Sequence, residues 1–173
     1  MDFQATLLGW HDFYILTGTA AASLVGLLFV GLSLHLRVVI SHADVRALAR
    51  VTMTSLALTL LLALFMVIPP PTAPSSTGWN LVGLGAAGLV LIAQNLVAGL
   101  QSGAQTLGFR LLLWRFGLTT ISFCGVVGAG AVLVAGDFRL ALSLLLGFVV
   151  ALLVVALRNS WDLLVTVGLA TTR

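Results

Sequence analysis

YILTGTAAASLVGLLFVGLSLHL, residues 14–36, is the stretch that decides the fold of this chain. It contains no charged residue, and about 23 helical residues at ~1.5 Å each are enough to cross the ~30 Å hydrocarbon core of a bilayer. Small residues recur within it at four-residue spacing, at Gly18, Ala22 and Gly26. Such a stripe lets another helix approach closely, so the stretch predicts a membrane-spanning helix that packs against a partner helix.

The whole chain has the composition of an integral membrane protein. Its 173 residues are 60% hydrophobic and 8% charged, and the mean hydropathy is +1.18. Soluble domains carry about 25% charged residues. All eight basic residues are arginine and all five acidic residues are aspartate, which we interpret as the codon bias of a GC-rich bacterial genome. We therefore expect a single transmembrane domain, residues 1–173, in the cytoplasmic (inner) membrane of a bacterium.

Five apolar segments follow one another and predict an all-α bundle of five transmembrane helices. The segments cover residues 14–36, 47–68, 79–100, 111–135 and 138–157. Prolines from Pro69 onward stop the second segment, and PPPTAPSSTG is expected to be an extended linker. Gly136 is placed to end the fourth helix and Asp137 to cap the fifth. Residues 158–173 either continue the fifth helix or form a short helix on the membrane surface.

The distribution of arginine predicts the orientation of the bundle. In a five-span chain, seven arginines fall on one side of the membrane and Arg139 alone falls on the other. Arginine accumulates on the cytoplasmic side, so the N-terminus is expected outside and the C-terminus in the cytoplasm. The tryptophans agree, since Trp10 and Trp79 lie at predicted outer edges and Trp114 and Trp161 at inner ones.

The third segment is the most polar span and supplies the main candidate site. It carries Gln94, Asn95 and Gln101, and Gln105 follows in the connector. Gln94, Gln101 and Gln105 share one helical face, and amides in hydrocarbon are costly unless they are hydrogen-bonded. This face either bonds to other helices within the bundle or lines a water-filled path, with one face per subunit around an oligomer axis.

Polar residues also mark the two membrane edges. Asp12, at the predicted outer mouth, either complements the dipole of the first helix or contributes to a cation-attracting ring in an oligomer. At the inner surface, Arg158 and Asp162 are four residues apart and can pair if the helix continues. Together with Asn159 and Trp161 they mark either the point where the helix leaves the membrane at its inner surface or a cytoplasmic docking patch or gate.

Helix packing and self-association are expected from further small residues. Gly125 and Ala129 repeat the four-residue spacing of the first segment, so a homo-oligomer is our working expectation. The single Cys124 excludes an intrachain disulfide. The sequence contains no G-x-S-x-G, H-E-x-x-H or P-loop motif. We expect no enzyme activity, no cofactor, no metal and no nucleic-acid partner.

Two stretches of the chain resemble a known group of proteins. TGTAAASLVGLLFVGLSLHL and RNSWDLLVTVG are similar to segments of short bacterial polytopic membrane proteins, a largely uncharacterised family. Some of its members are labelled as modulators of a membrane-bound AAA protease. The resemblance implies a multi-pass membrane protein and no catalytic residues.

The sequence leaves more than one function open. The first expectation is a small oligomeric channel lined by the polar face of the third helix. The alternative is a non-catalytic subunit or regulator that packs laterally against a larger membrane complex. A transporter is less favoured, because no buried charge is available to couple to an ion.

Overall fold

The computed structural model describes residues 7–41, 43–68, 74–101 and 109–171, and these ranges are almost entirely helical. After Trp10 they contain six helices, which we number in chain order. These are α1 (His11–Leu34), α2 (Leu36–Ser41), α3 (Ala43–Val67), α4 (Pro74–Gln101), α5 (Phe109–Val134) and α6 (Phe138–Thr171).

Among the described residues, five helices are long and apolar enough to cross a membrane. The apolar spans are His11–Leu34, Val45–Val67, Ser75–Ala98, Phe116–Val134 and Phe138–Val165. The prediction of an all-α chain with five such helices is confirmed, and the chain fits a multi-pass membrane protein.

Helix α3 contacts three of the other long helices. It packs against α1, α4 and α6, whereas α5 packs against α4 and α6, so α3 to α6 form a closed ring of four helices. The interior of the ring is filled with apolar side chains that are at most 1% exposed, among them Leu62, Phe123, Val126, Leu145 and Val149. Helix α1 lies outside this ring and packs mainly on α3.

The first segment ends earlier than the sequence predicted. Helix α1 stops at Leu34, and His35 leaves the helical conformation with φ −119° and ψ 28°. The Nδ1 atom of His35 lies 3.1 Å from the carbonyl oxygen of Gly31, so its ring occupies an acceptor at the helix end. The short helix α2 ends at Ser41, and α3 begins at Ala43, four residues before the start of the predicted second segment.

The third and fifth segments are longer than predicted. Helix α4 begins at Pro74, so the second half of the expected extended linker is helical. Proline is well suited to a first helical turn, because the N–H that it lacks would have no helical partner there. Helix α6 runs without interruption to Thr171, which selects continuation of the last helix over a separate surface helix.

The turn between α5 and α6 forms as the local sequence predicted. Gly136 has φ +98°, a left-handed conformation that favours glycine. Its N–H donates to the Leu133 carbonyl at 3.2 Å, and the N–H of Asp137 donates to the Val132 carbonyl at 3.3 Å, the pair of bonds that closes a Schellman motif. The Asp137 Oδ1 then accepts the Leu140 N–H at 3.1 Å and caps α6.

Candidate functional site

Gln94 lies on the outer surface of the bundle. Gln94 is exposed, although it belongs to the apolar span Ser75–Ala98 of α4. The side chain therefore points away from the ring of α3 to α6. This placement argues against hydrogen bonding by Gln94 between helices inside one bundle, which was one of the two interpretations of the amide face.

Asn95 points in a different direction from Gln94, because consecutive residues on an α-helix are about 100° apart. It is partly buried, and its Nδ2 donates to the Leu91 carbonyl at 2.8 Å. Asn95 also lines a cleft toward α3, together with Arg46 and Arg50. The structure therefore divides the polar residues of α4 between an outward face and a cleft.

The other two amides of the predicted face are placed only in part. The backbone of Gln101 ends α4, two turns after Gln94. Gln105 lies outside the described residues. The pore-lining role of Gln94, Gln101 and Gln105 stays a prediction.

A continuous exposed strip on α4 contains Gln94 and was not recognised in the sequence. Its members are separated alternately by three and four residues, the spacing of a helix–helix seam. We call it the amide strip: Asn80, Gly83, Ala87, Val90, Gln94 and Val97, all exposed. Asn80 was missed because it stands alone near the start of the segment. The sequence signal that could have placed it on the face of Gln94 is their separation of two heptads.

Asp12 occupies the first turn of α1 and is exposed. A carboxylate in this position is favourable next to the positive end of the helix dipole. The same exposure leaves the side chain at the rim of the bundle. Both interpretations that the sequence offered for Asp12 are compatible with this placement.

The small-residue stripe of α1 is divided between two environments. Gly18 is buried against α3, where an added Cβ would lie 3.3 Å from the Ala63 Cβ. Ala22 and Gly26 are exposed, and a Cβ at Gly26 would meet nothing within 4 Å. One member of the stripe packs within the chain, and the other two lie on the outward surface of α1.

The Gly125 and Ala129 pair packs inside the bundle. The ring of Phe148 on α6 lies directly over Gly125 on α5, in the space that a Cβ would occupy. Ala129 is fully buried. These two residues are therefore part of the helix packing within one chain.

The predicted inner-surface cluster, near the C-terminal end of α6, is spread around the helix. Arg158 and Trp161 are exposed, Asp162 is partly buried, and Asn159 is buried at 3% exposure. Asn159 follows the buried face that contains Leu152 and Ala156. The four residues do not share one surface, so only Arg158 and Trp161 are fully presented outward.

Buried hydroxyl groups form a second feature that the sequence analysis missed. Thr52, Ser55 and Thr59 are buried on α3, and the spacing of three and four residues was the available signal. Thr52 donates to the Leu48 carbonyl and Thr59 to the Ser55 carbonyl, both at 2.8 Å. The Oγ of Ser55 is buried without a hydrogen-bond partner.

Among the described residues, no group of three His, Cys, Asp or Glu side chains could hold a metal ion. No family model matches the chain, and no match was found among the curated proteins or among the solved structures. The resemblance to the short bacterial membrane proteins stays a prediction. The conclusions on function accordingly depend on the geometry of the bundle.

Proposed function

We propose that the chain forms a small oligomeric channel or pore that passes ions or small solutes. The amide strips of neighbouring chains would surround the oligomer axis. The observation that supports this proposal is the exposure of Gln94 on the outer face of an apolar span.

An exposed glutamine inside the span needs a polar environment. An amide in hydrocarbon without a hydrogen bond costs several kcal/mol, about 4–8 on the water-to-cyclohexane scale. Gln94 lies about one turn inside the end of the span Ser75–Ala98. Water in a pore, or a second amide across an axis, would satisfy it, whereas the acyl chains of lipid would not.

The other members of the amide strip fit a contact around an axis. Gly83 and Ala87 are small and exposed, so neighbouring α4 helices could approach closely at this level. Amides would lie toward both ends of such a path, at Asn80 and Gln94, with an apolar constriction between them. Neutral amides replace the hydration shell of an ion poorly, so we expect weak selectivity.

A route between subunits also agrees with the packing of the single chain. The interior of the ring is filled by side chains such as Phe123 and Leu145, each at most 1% exposed. A conducting path would therefore have to run between chains, which makes self-association a necessary part of the proposal.

Planar-bilayer recording of the purified protein tests the channel. We expect discrete unitary currents from the wild type, and a changed unit conductance after Gln94→Leu or Asn80→Leu. Ser143→Leu is the matched control, because it places a leucine on an exposed position of α6 outside the amide strip. Silent protein that is folded and oligomeric would contradict the proposal, as would equal effects of Gln94→Leu and Ser143→Leu.

For orientation we propose an external N-terminus and a cytoplasmic C-terminus in a bacterial inner membrane. The excess of arginine on one side supports it. Cys124 is the only cysteine, so Cys124→Ala gives a background for Arg139→Cys and Arg158→Cys. In intact cells a membrane-impermeant maleimide should label position 139 and should reach position 158 only after permeabilisation.

A second candidate function is a non-catalytic subunit or regulator of a larger membrane complex. The exposed positions Ala22 and Gly26 on α1 favour it, because small residues allow a foreign helix to approach closely. A stoichiometric partner should then co-purify from native membranes and be lost after Gly26→Leu. Retention of the partner by Gly26→Leu would exclude this face of α1 as the docking surface.

A further inference from the structure

A cleft opens where the end of α1 and the short helix α2 meet α3 and α4. Its volume is about 350 Å³, and it is open to the surroundings rather than enclosed. The lining comes from four helices and comprises Leu32, Val39, Arg46, Ala49, Arg50, Met53, Thr54 and Asn95.

Two arginines give the cleft its charge. Arg46 and Arg50 are one turn apart on α3, so their guanidinium groups lie on the same side of the helix. Arg46 is partly buried, and its Nη1 donates to the Ile40 carbonyl of α2 at 3.0 Å. This bond uses one of the five N–H groups of the Arg46 guanidinium and holds the guanidinium at the cleft.

The lining changes from charged to apolar. Ala49, Met53, Leu32 and Val39 provide apolar wall, while Thr54 and Asn95 add a hydroxyl and an amide. The described lining residues include two guanidinium groups and no carboxylate. A ligand that fills this cleft must combine negative charge with a hydrophobic part.

The position of the cleft relative to the apolar spans narrows the choice of ligand further. Arg46 follows directly after the start of the span Val45–Val67, and Thr54 lies about two turns deeper. Arginine at this level meets the headgroup region of a bilayer, while the residues beyond it meet the acyl chains. Basic clefts between transmembrane helices are suited to anionic lipid headgroups.

We propose that this cleft is a binding site for an anionic glycerophospholipid. Arg46 and Arg50 bind its phosphate, and the first part of an acyl chain lies along Met53 and Leu32. Arginine suits this ligand because its planar fork donates two hydrogen bonds to one phosphate. A free phosphate ion would satisfy the guanidinium groups but would leave the apolar wall uncovered. The site is built from one chain, so it does not depend on the proposed channel.

The test compares lipids of different charge on the purified full chain. Wild-type protein in detergent is titrated with phosphatidylglycerol or phosphatidylcholine, and bound lipid is counted by native mass spectrometry. We expect phosphatidylglycerol to bind at least tenfold more tightly. Each of Arg46→Gln and Arg50→Gln should weaken phosphatidylglycerol binding about fivefold, the effect of removing one basic residue at an anionic surface.

Arg158→Gln is the matched control for these variants. It removes the same charge from an exposed position of α6 that does not line the cleft. Arg50 is exposed, so Arg50→Gln keeps the test valid if Arg46→Gln fails to fold. Equal weakening by Arg50→Gln and Arg158→Gln would overturn the site, since it would show a diffuse charge effect. Full competition by millimolar inorganic phosphate would overturn the assignment to a lipid.

Discussion

Gly78 on α4 and Gly130 on α5 lie face to face at the crossing of the two helices. A Cβ on either glycine would come 2.8 Å from the carbonyl oxygen of the other. The contact is therefore between backbones on both sides, and neither partner has a flexible side chain that could move away. Helices α4 and α5 have the most extensive contact in the described bundle, and this pair is part of it.

The first prediction follows from that contact. Gly130→Ala should lower the free energy of unfolding by about 1–3 kcal/mol, because overpacking forces two backbones apart. Unfolding of the purified protein by sodium dodecyl sulfate in mild detergent measures this change. Gly128→Ala is the control, since Gly128 is also on α5 and an added Cβ there meets nothing within 4 Å. Equal midpoints for the two variants would show that the close crossing does not exist.

A second prediction concerns the ring of Phe148 over Gly125. Gly125→Ala should destabilise the bundle by about 1–3 kcal/mol, because the new methyl group takes the place of the ring. Combining it with Phe148→Leu should recover part of the loss, since the smaller side chain leaves room. A double-mutant cycle should give a coupling of at least about 0.5 kcal/mol. Simple additivity of the two changes would argue against direct contact.

Ser55 provides a prediction of the opposite sign. Its buried Oγ has no hydrogen-bond partner, so Ser55→Ala should raise the free energy of unfolding by about 1 kcal/mol. Ser160→Ala is the matched control, because the Ser160 Oγ is also buried and donates to the Ala156 carbonyl at 2.8 Å. That change should be neutral or destabilising by about 0.5 kcal/mol. A loss of stability in Ser55→Ala would mean that the hydroxyl has a partner.

The cap of α6 supplies a fourth prediction. Asp137→Ala removes the acceptor of the Leu140 N–H and should cost about 1 kcal/mol, the usual effect of losing an N-cap. Asp137→Asn keeps a side-chain oxygen in place and should retain most of the stability. The same detergent titration measures both variants. An Asn variant as unstable as the Ala variant would assign the effect to charge instead of the hydrogen bond.

The features that the sequence predicted correctly are those set by neighbouring residues. Five apolar spans follow from long uncharged runs, and the turn at Gly136 and Asp137 follows from local backbone preferences. The contact between Gly78 and Gly130 was not predictable in this way, because it depends on which helices become neighbours. Spacing alone put Gly18, Ala22 and Gly26 in one stripe, although only Gly18 packs against another helix of the chain.

The same distinction, between features set by neighbouring residues and features set by the packing of helices, applies to the candidate site. Sequence reasoning found Gln94 and Asn95 as polar residues in an apolar span, because amides are unusual there. It could not separate the outward Gln94 from the cleft-lining Asn95, since that depends on where α3 lies relative to α4. In the sequence, Arg46 and Arg50 contributed only to the count of arginines on each side of the membrane. The fold places them in the same cleft as Asn95.

The position of α1 outside the ring has a consequence for how the protein is made. Of the five long helices α1 is synthesised first, but its main docking surface is α3 and its contact with Leu164 requires the end of α6. Until those helices have been made, Thr17 and Gly18 lack the neighbours that bury them in the complete bundle. The earliest of the five long helices therefore completes its contacts only when the end of the last one has been made, and the growing chain passes through a stage in which α1 is only partly docked.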